Sequence, residues 1–289
     1  MVDFNLFNLG LIVNENRDYS KNGGEETSML KKEQEALIKK LITPTSPLYG
    51  KVFPIIFFWS PKSGCTSLIK WYFFQIGLLQ KALDYNPWIH FYRMEVYEKQ
   101  ENYKIEIAEQ LLNNKKDIYK LVRNPYKRAV SSFISTLTNE NIMNEVAPGI
   151  NTGLSFKQFL YKVKDIGISK DLINAHIAQQ YIEEEELFIR NYIKLEHFNT
   201  AIRAIESKYN LLQSPIENII QSSHNMSQRM KNIDKKTFAE VKMSLESVYN
   251  EPLPQYENFY DHETKDLVRN LFKKDFKKYG YNQTDLKLL

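Results

Sequence analysis

The chain has 289 residues, of which 43% are hydrophobic, 13% aromatic and 26% charged; this is enough apolar material for one large domain and carries no signature of disorder. With 39 Lys and Arg against 35 Asp and Glu, the net charge is +4, too small for a histone-like nucleic-acid binder yet compatible with a local basic pocket for a phosphorylated ligand. A single cysteine, Cys65, excludes an intrachain disulfide and any multi-cysteine metal site.

In chain order, residues 1–28 hold no apolar period, and Met1–Asn14 lacks the basic start and small-residue cleavage site of a secretion signal. Met29–Ile42 spaces its apolar residues as an amphipathic helix does, and Pro44 and Pro47 end it. Residues 1–45 therefore read as an N-terminal extension with one helix, and 46–289 as a single domain. Val52–Trp59 is a continuous apolar run of eight residues, what a parallel strand covered on both faces requires and far short of the roughly 20 residues of a membrane-spanning helix. A cytoplasmic protein with no membrane or nucleic-acid partner is the expectation.

The pattern then alternates. Thr66–Leu79 reads as a helix, Trp88–Val96 as a strand, Glu101–Asn113 as a helix and Ile118–Arg123 as a strand. Asn124 is a good N-cap and Pro125 suits the first position of a helix running to about Leu137. Residues 138–154 look like a loop, a further strand is expected around Phe188–Leu195, and His262–Lys278 reads as a closing helix with Gly280 as its C-cap. Alternating strands and helices predict an α/β domain with a central parallel sheet flanked by helices, and a helix-rich C-terminal half.

The segment Ser60–Ser67 (SPKSGCTS) falls between a buried strand and a helix. At such a turn the first helical N–H groups are unpaired and carry the positive end of the helix dipole, so they attract an anion. Gly64 allows close approach, Thr66 and Ser67 add hydroxyls, and Lys62 adds a charge. The Walker A order G-x-x-x-x-G-K-S/T is absent, because the lysine precedes the glycine by two positions. Taken alone, the segment also reads as a Ser/Gly turn with a solvated lysine. Cys65 at a helix start invites a nucleophile, but no Cys/His/Asn arrangement is legible in the sequence.

Pro61-Lys62-Ser63-Gly64-Cys65-Thr66 resembles the 5′-phosphosulfate loop of sulfotransferases that use 3′-phosphoadenylyl sulfate (PAPS), whose cytosolic members carry P-K-S-G-T-T and carbohydrate members P-K-x-x-C-T-S. Leu121–Phe133 (LVRNPYKRAVSSF) is similar to their 3′-phosphate motif R-D/N-P-x-x-R-x-V-S-x-F/Y, with Arg123 and Ser131 eight positions apart. Weaker likenesses follow in order at Asn174–Gln180, Tyr192–Phe198, Ser223–Ser227 and Leu267–Tyr281, so that the resemblance runs from about residue 50 to 281. It implies a P-loop-kinase-like sulfotransferase fold, PAPS as the sulfuryl donor, and a small-molecule or saccharide acceptor bearing a hydroxyl or an amine.

By that resemblance Lys62 serves the leaving phosphate, and residues Ser63, Gly64, Cys65, Thr66 and Ser67 hold the 5′-phosphate. Arg123 and Ser131 grip the 3′-phosphate, and Asn225, Ser227 and Arg229 either fold over the phosphates or lie in a solvated loop. No metal site is recognisable. The general base stays open between His90, the only histidine between Lys62 and Arg123, and His176, with Asp84, Glu95 and Glu101 as further candidates. A kinase with a divergent phosphate loop and a non-catalytic nucleotide-binding protein of the same fold are the competing readings.

Overall fold

The computed structural model describes residues 23–43, 45–150, 152–221, 229–233 and 237–284. In chain order it contains α1 (Gly23–Ile42), β1 (Ile55–Trp59), α2 (Cys65–Gln75), α3 (Leu79–Tyr85), α4 (Ile89–Tyr92), a π-helical turn at Arg93–Tyr97, α5 (Tyr103–Asn113), β2 (Asp117–Val122), α6 (Pro125–Leu137), α7 (Glu140–Val146) and α8 (Phe156–Ile166). There follow β3 (Asn191–Lys194), α9 (Phe198–Lys208), α10 (Ile216–Ile219), β4 (Met230–Lys231), α11 (Leu245–Asn250), β5 (Leu253–Pro254), α12 (His262–Leu271) and α13 (Lys273–Lys278).

The main sheet is three-stranded and entirely parallel, in the order β1–β2–β3, with Trp59 paired to Leu121 and Leu121 to Ile193. All five residues of β1 are buried, which is why the run had to be apolar throughout rather than alternating. The strand begins only after Pro54, which has no N–H to give a ladder. On the free side of β1, Leu48 exchanges backbone hydrogen bonds with Phe57 at 2.9 and 3.0 Å. One core joins the sheet to α1, α2, α4, α5 and α9; it includes Leu37, Ile38, Leu41 and Ile42 of the first helix. A second core is built from α6, α7, α8 and α12. Among the described residues, no helix is long and apolar enough to cross a membrane.

Three sequence expectations are corrected. The expected strand at Trp88–Val96 is helical, α4 running into the π turn. Its composition satisfies either period, and packing decides: Ile89, Tyr92, Arg93 and Tyr97 are buried at helical spacing, and Tyr92 and Tyr97 meet Phe73 of α2 edge to face. The expected loop at 138–154 contains α7, whose first turn is capped by Asn139 accepting from the Ile142 N–H at 3.2 Å. The single closing helix is two, broken at Phe272, where ψ of 28° leaves the helical region.

Candidate functional site

Parallel strands place their carboxyl ends on one edge, where open α/β sheets bind ligands. Here that edge carries the loop after β1 and the residue after β2. Within the loop, Lys62 has φ of 68° and Gly64 φ of 89°, on either side of Ser63. Left-handed residues interleaved with right-handed ones turn successive N–H groups toward one point, an anion-binding nest. Gly64 is obligatory for a second reason: a Cβ there would stand 2.4 Å from Cδ1 of Leu195, just past β3. The first turn of α2 has neither a side-chain cap nor an acidic residue, so its dipole is uncompensated.

Arg123, directly after β2, reaches back to this loop. Its Nη1 donates to the Lys62 carbonyl at 3.0 Å, its Nη2 donates to the Tyr256 hydroxyl at 2.6 Å, and the guanidinium lies 5.2 Å from the Tyr256 ring. Arg123 is only 9% exposed, and its buried Nε is one of two buried side-chain polar atoms among the described residues that lack a partner, the other being Nε of Arg93. An orphaned guanidinium N–H is costly unless an acceptor completes it. Arg128 of α6, fully buried, donates to the carbonyls of Pro61 (3.0 Å) and Ala175 (3.2 Å), and burial lowers its pKa to about 10. Burial, with Arg123 and Arg128 adding repulsion, also lowers the pKa of half-buried Lys62. Three cations thus converge on one strand-to-helix turn.

Both candidate histidines come to this place. His90 Nε2 lies 3.1 Å from Thr66 Oγ1 and 3.6 Å from Cys65 Sγ, with the exposed Trp88 ring 5.5 Å from its own. Tyr85 and Phe91, also exposed, stack on each other. His176 follows α8 in a loop. Asn174 Oδ1 accepts from the His176 backbone N–H at 3.1 Å and faces His176 Nδ1 at 2.9 Å. An oxygen there makes Nδ1 the protonated nitrogen and leaves Nε2 with its lone pair. Burial, then the charges of Lys62 and Arg128, push the His176 pKa down to about 4, so it is neutral at pH 7. Burial raises the Cys65 pKa against the pull of Lys62 and Arg93, which keeps it a thiol rather than a thiolate.

The remaining sequence candidates divide. Ser131 is half-buried on α6, next to Ser132, which donates to the His176 carbonyl at 2.6 Å. Ser67 lies in the first turn of α2. Arg229 donates to the Tyr249 carbonyl at 2.9 Å. Asn225 and Ser227 lie outside the described residues. Asp84 accepts from Gln80, Glu95 pairs with Lys99 at 2.6 Å, and Glu101 is exposed, so none of the three is drawn toward the loop by these contacts. Three residues at the site were missed in the sequence: Arg128, Tyr256 and Gln180. Arg128 and Gln180 carried a signal, as the second arginine of the LVRNPYKR segment and as the last residue of the Asn174–Gln180 likeness, and Tyr256 carried none.

Gln180 is fully buried between the two strand ends. Its Oε1 accepts from Ser63 Oγ and from the Arg123 N–H, both at 2.9 Å, and its Nε2 donates to the Arg123 carbonyl at 2.8 Å. Its own backbone is fixed in turn: the carbonyl accepts from Lys120 Nζ at 2.6 Å, and the N–H donates to Asp275 at 2.9 Å. Lys120 is paired with the buried Glu185.

A cavity of about 400 Å3 lies at the opposite end of the sheet, lined by Lys115, Lys116, Asp117, Arg190 and Asn191 among others. There Lys116 donates to the carbonyls of Lys51 and Phe53, and Asp117 accepts from Lys208 and Tyr209. The converging cations and the orphaned Arg123 Nε favour the carboxyl-end edge as the site. A scan against protein-family models, a search of curated proteins and a search of solved structures each find no match to this chain.

Proposed function

We propose that the chain is a sulfotransferase that moves the sulfuryl group of PAPS to a hydroxyl or an amine of a small-molecule or saccharide acceptor. One observation carries this reading above the others: Arg123 contacts the Lys62 carbonyl while keeping a buried, unpaired Nε, so two separate anion grips adjoin on one sheet edge. A single phosphate needs one grip. A nucleotide phosphorylated at both ends of its ribose needs two.

The residues present fit such a ligand. The interleaved φ signs at Lys62 and Gly64 and the uncapped start of α2 suit a 5′-phosphate, and the arginine suits a 3′-phosphate held by paired N–H donors. Bound PAPS would supply an activated sulfuryl group whose departure leaves charge on the 5′-phosphate oxygen. Lys62, half-buried and already repelled by two guanidinium groups, is placed to balance that charge. The acceptor must lose a proton, and His176 Nε2 holds a free lone pair at neutral pH. Phosphates beside Lys62 and Arg128 would offset the charges that depress His176 and raise its basicity when the site fills. His90, hydrogen-bonded to Thr66 and beside the exposed Trp88 ring, is the second base candidate.

Sulfate-labelled PAPS incubated with a panel of saccharide and small-molecule acceptors tests the reading. Transfer is expected, falling about 100- to 1,000-fold in Lys62→Ala while bisphosphate binding persists. Binding of PAPS without transfer to any acceptor would make the chain a non-catalytic binder. Magnesium-dependent transfer from ATP would make it a kinase.

A further inference from the structure

We infer that Gln180 is the positioning residue that sets the separation of the two phosphate grips, and through it the preference for a nucleotide phosphorylated at both the 5′ and 3′ positions. The inference rests on the donor site proposed above.

β1 and β2 are held at ladder spacing only as far as Trp59 and Leu121. Beyond those residues the chains part, one into the Ser60–Gly64 loop and the other into Arg123, and no strand pairing fixes their distance. The Gln180 side chain takes over that task. Its amide pairs with both the N–H and the carbonyl of Arg123, as a neighbouring strand would, and the same Oε1 holds Ser63 in the opposite loop. One planar group of fixed dimensions thereby joins the 5′ grip to the 3′ grip. The group cannot drift, because its backbone is tied to Lys120 and Asp275 and its side chain is sealed from water. The distance between the two phosphates of a bound nucleotide is set by its ribose, so a site aligned to one separation loses affinity when its halves slide by a fraction of an ångström. A ligand with one phosphate uses one grip and is indifferent to the slide.

Calorimetric titration of adenosine 3′,5′-bisphosphate and of AMP into the full chain separates this role from a merely structural one. Wild type should prefer the bisphosphate. Gln180→Met, similar in length and unable to make the three side-chain bonds, should weaken bisphosphate binding at least tenfold and change AMP binding less than threefold. Ser63→Ala, which removes only the loop end of the brace, should give a smaller loss of the same kind. If Gln180→Met is too unstable to titrate, the Ser63→Ala result decides alone. An unchanged preference in the variants, or equal losses for both nucleotides, would overturn the inference. A wild type that does not distinguish the two nucleotides would instead overturn the donor-site reading on which it rests.

Discussion

The Gly64→Ala substitution exposes how tightly the loop after β1 is determined. An alanine would be forced to φ of +89°, and its methyl would meet Leu195 Cδ1 at 2.4 Å. The left-handed backbone costs about 1–2 kcal/mol for an L-residue. The collision adds about 1–3 kcal/mol, because Cδ1, Cδ2 and Cγ of Leu195 all stand within 3.3 Å of the added methyl and that side chain is packed against the main core. Together these amount to roughly 2–5 kcal/mol, which for a domain of this size lowers the thermal midpoint by roughly 3–8 °C. Repeating the substitution in a Leu195→Ala background separates the two terms. With the methyl collision gone, only the backbone cost of about 1–2 kcal/mol should remain. Differential scanning calorimetry of the four proteins measures both. The same cost in both backgrounds would refute the collision, and no cost in either would refute the left-handed turn that shapes the anion nest.

Two further perturbations probe the groups around the site. His176 takes up its proton near pH 4 when folded and near the ordinary 6.5 when unfolded, so between these values the unfolded chain binds more protons. Stability should therefore fall as pH drops from about 6.5 toward 4, and His176→Phe should flatten that part of the profile; identical slopes by chemical denaturation would contradict the placement of His176. Asp275 accepts from the N–H groups of Gln180 and Tyr181 at 2.9 and 2.8 Å and is the buried counter-charge to Arg128 and Lys120. Asp275→Ala should cost about 3–5 kcal/mol, and a loss under 1 kcal/mol in denaturant titration would show that the network is not what holds Gln180.

What the sequence revealed and what it hid follow from the range of the interactions involved. The turn at Ser60–Ser67 and the Asn124–Pro125 helix start are local features: a glycine at positive φ, an asparagine accepting from Tyr126 at 2.9 Å, and a proline at the first helical position each depend on residues within a few positions. They were legible. The continuous apolar β1 was legible as well, since burial on both faces leaves no room for alternation. Trp88–Val96 was not, because its apolar residues, interrupted by His90, Arg93 and Glu95, fit either period and only Phe73 and Tyr72, brought in by α2, choose the helix. That helical segment and α5 also fill more than half of the 32 residues between His90 and Arg123. The Asn139 cap and the Ile142–Val146 spacing of α7 were present in the sequence but obscured by neighbouring Gly and Pro residues. The bracing role of Gln180 was invisible for a different reason, although the residue closes the Asn174–Gln180 segment of the resemblance. It joins Ser63, 117 positions away, to Arg123, 57 positions away, and nothing local marks a glutamine as a brace.

The central claim is that the loop after β1 and the arginine after β2 grasp two phosphates of one nucleotide. Its most direct measurement compares the affinity of adenosine 3′,5′-bisphosphate with that of AMP, in the wild type and in Arg123→Ala, at one fixed salt concentration. The account predicts a wild-type preference for the bisphosphate of at least tenfold, as expected from about 1.5–3 kcal/mol for charge-assisted hydrogen bonds to the second phosphate, and its loss in Arg123→Ala with AMP affinity nearly unchanged. Equal affinities in the wild type, or a preference that survives removal of the guanidinium, would contradict it.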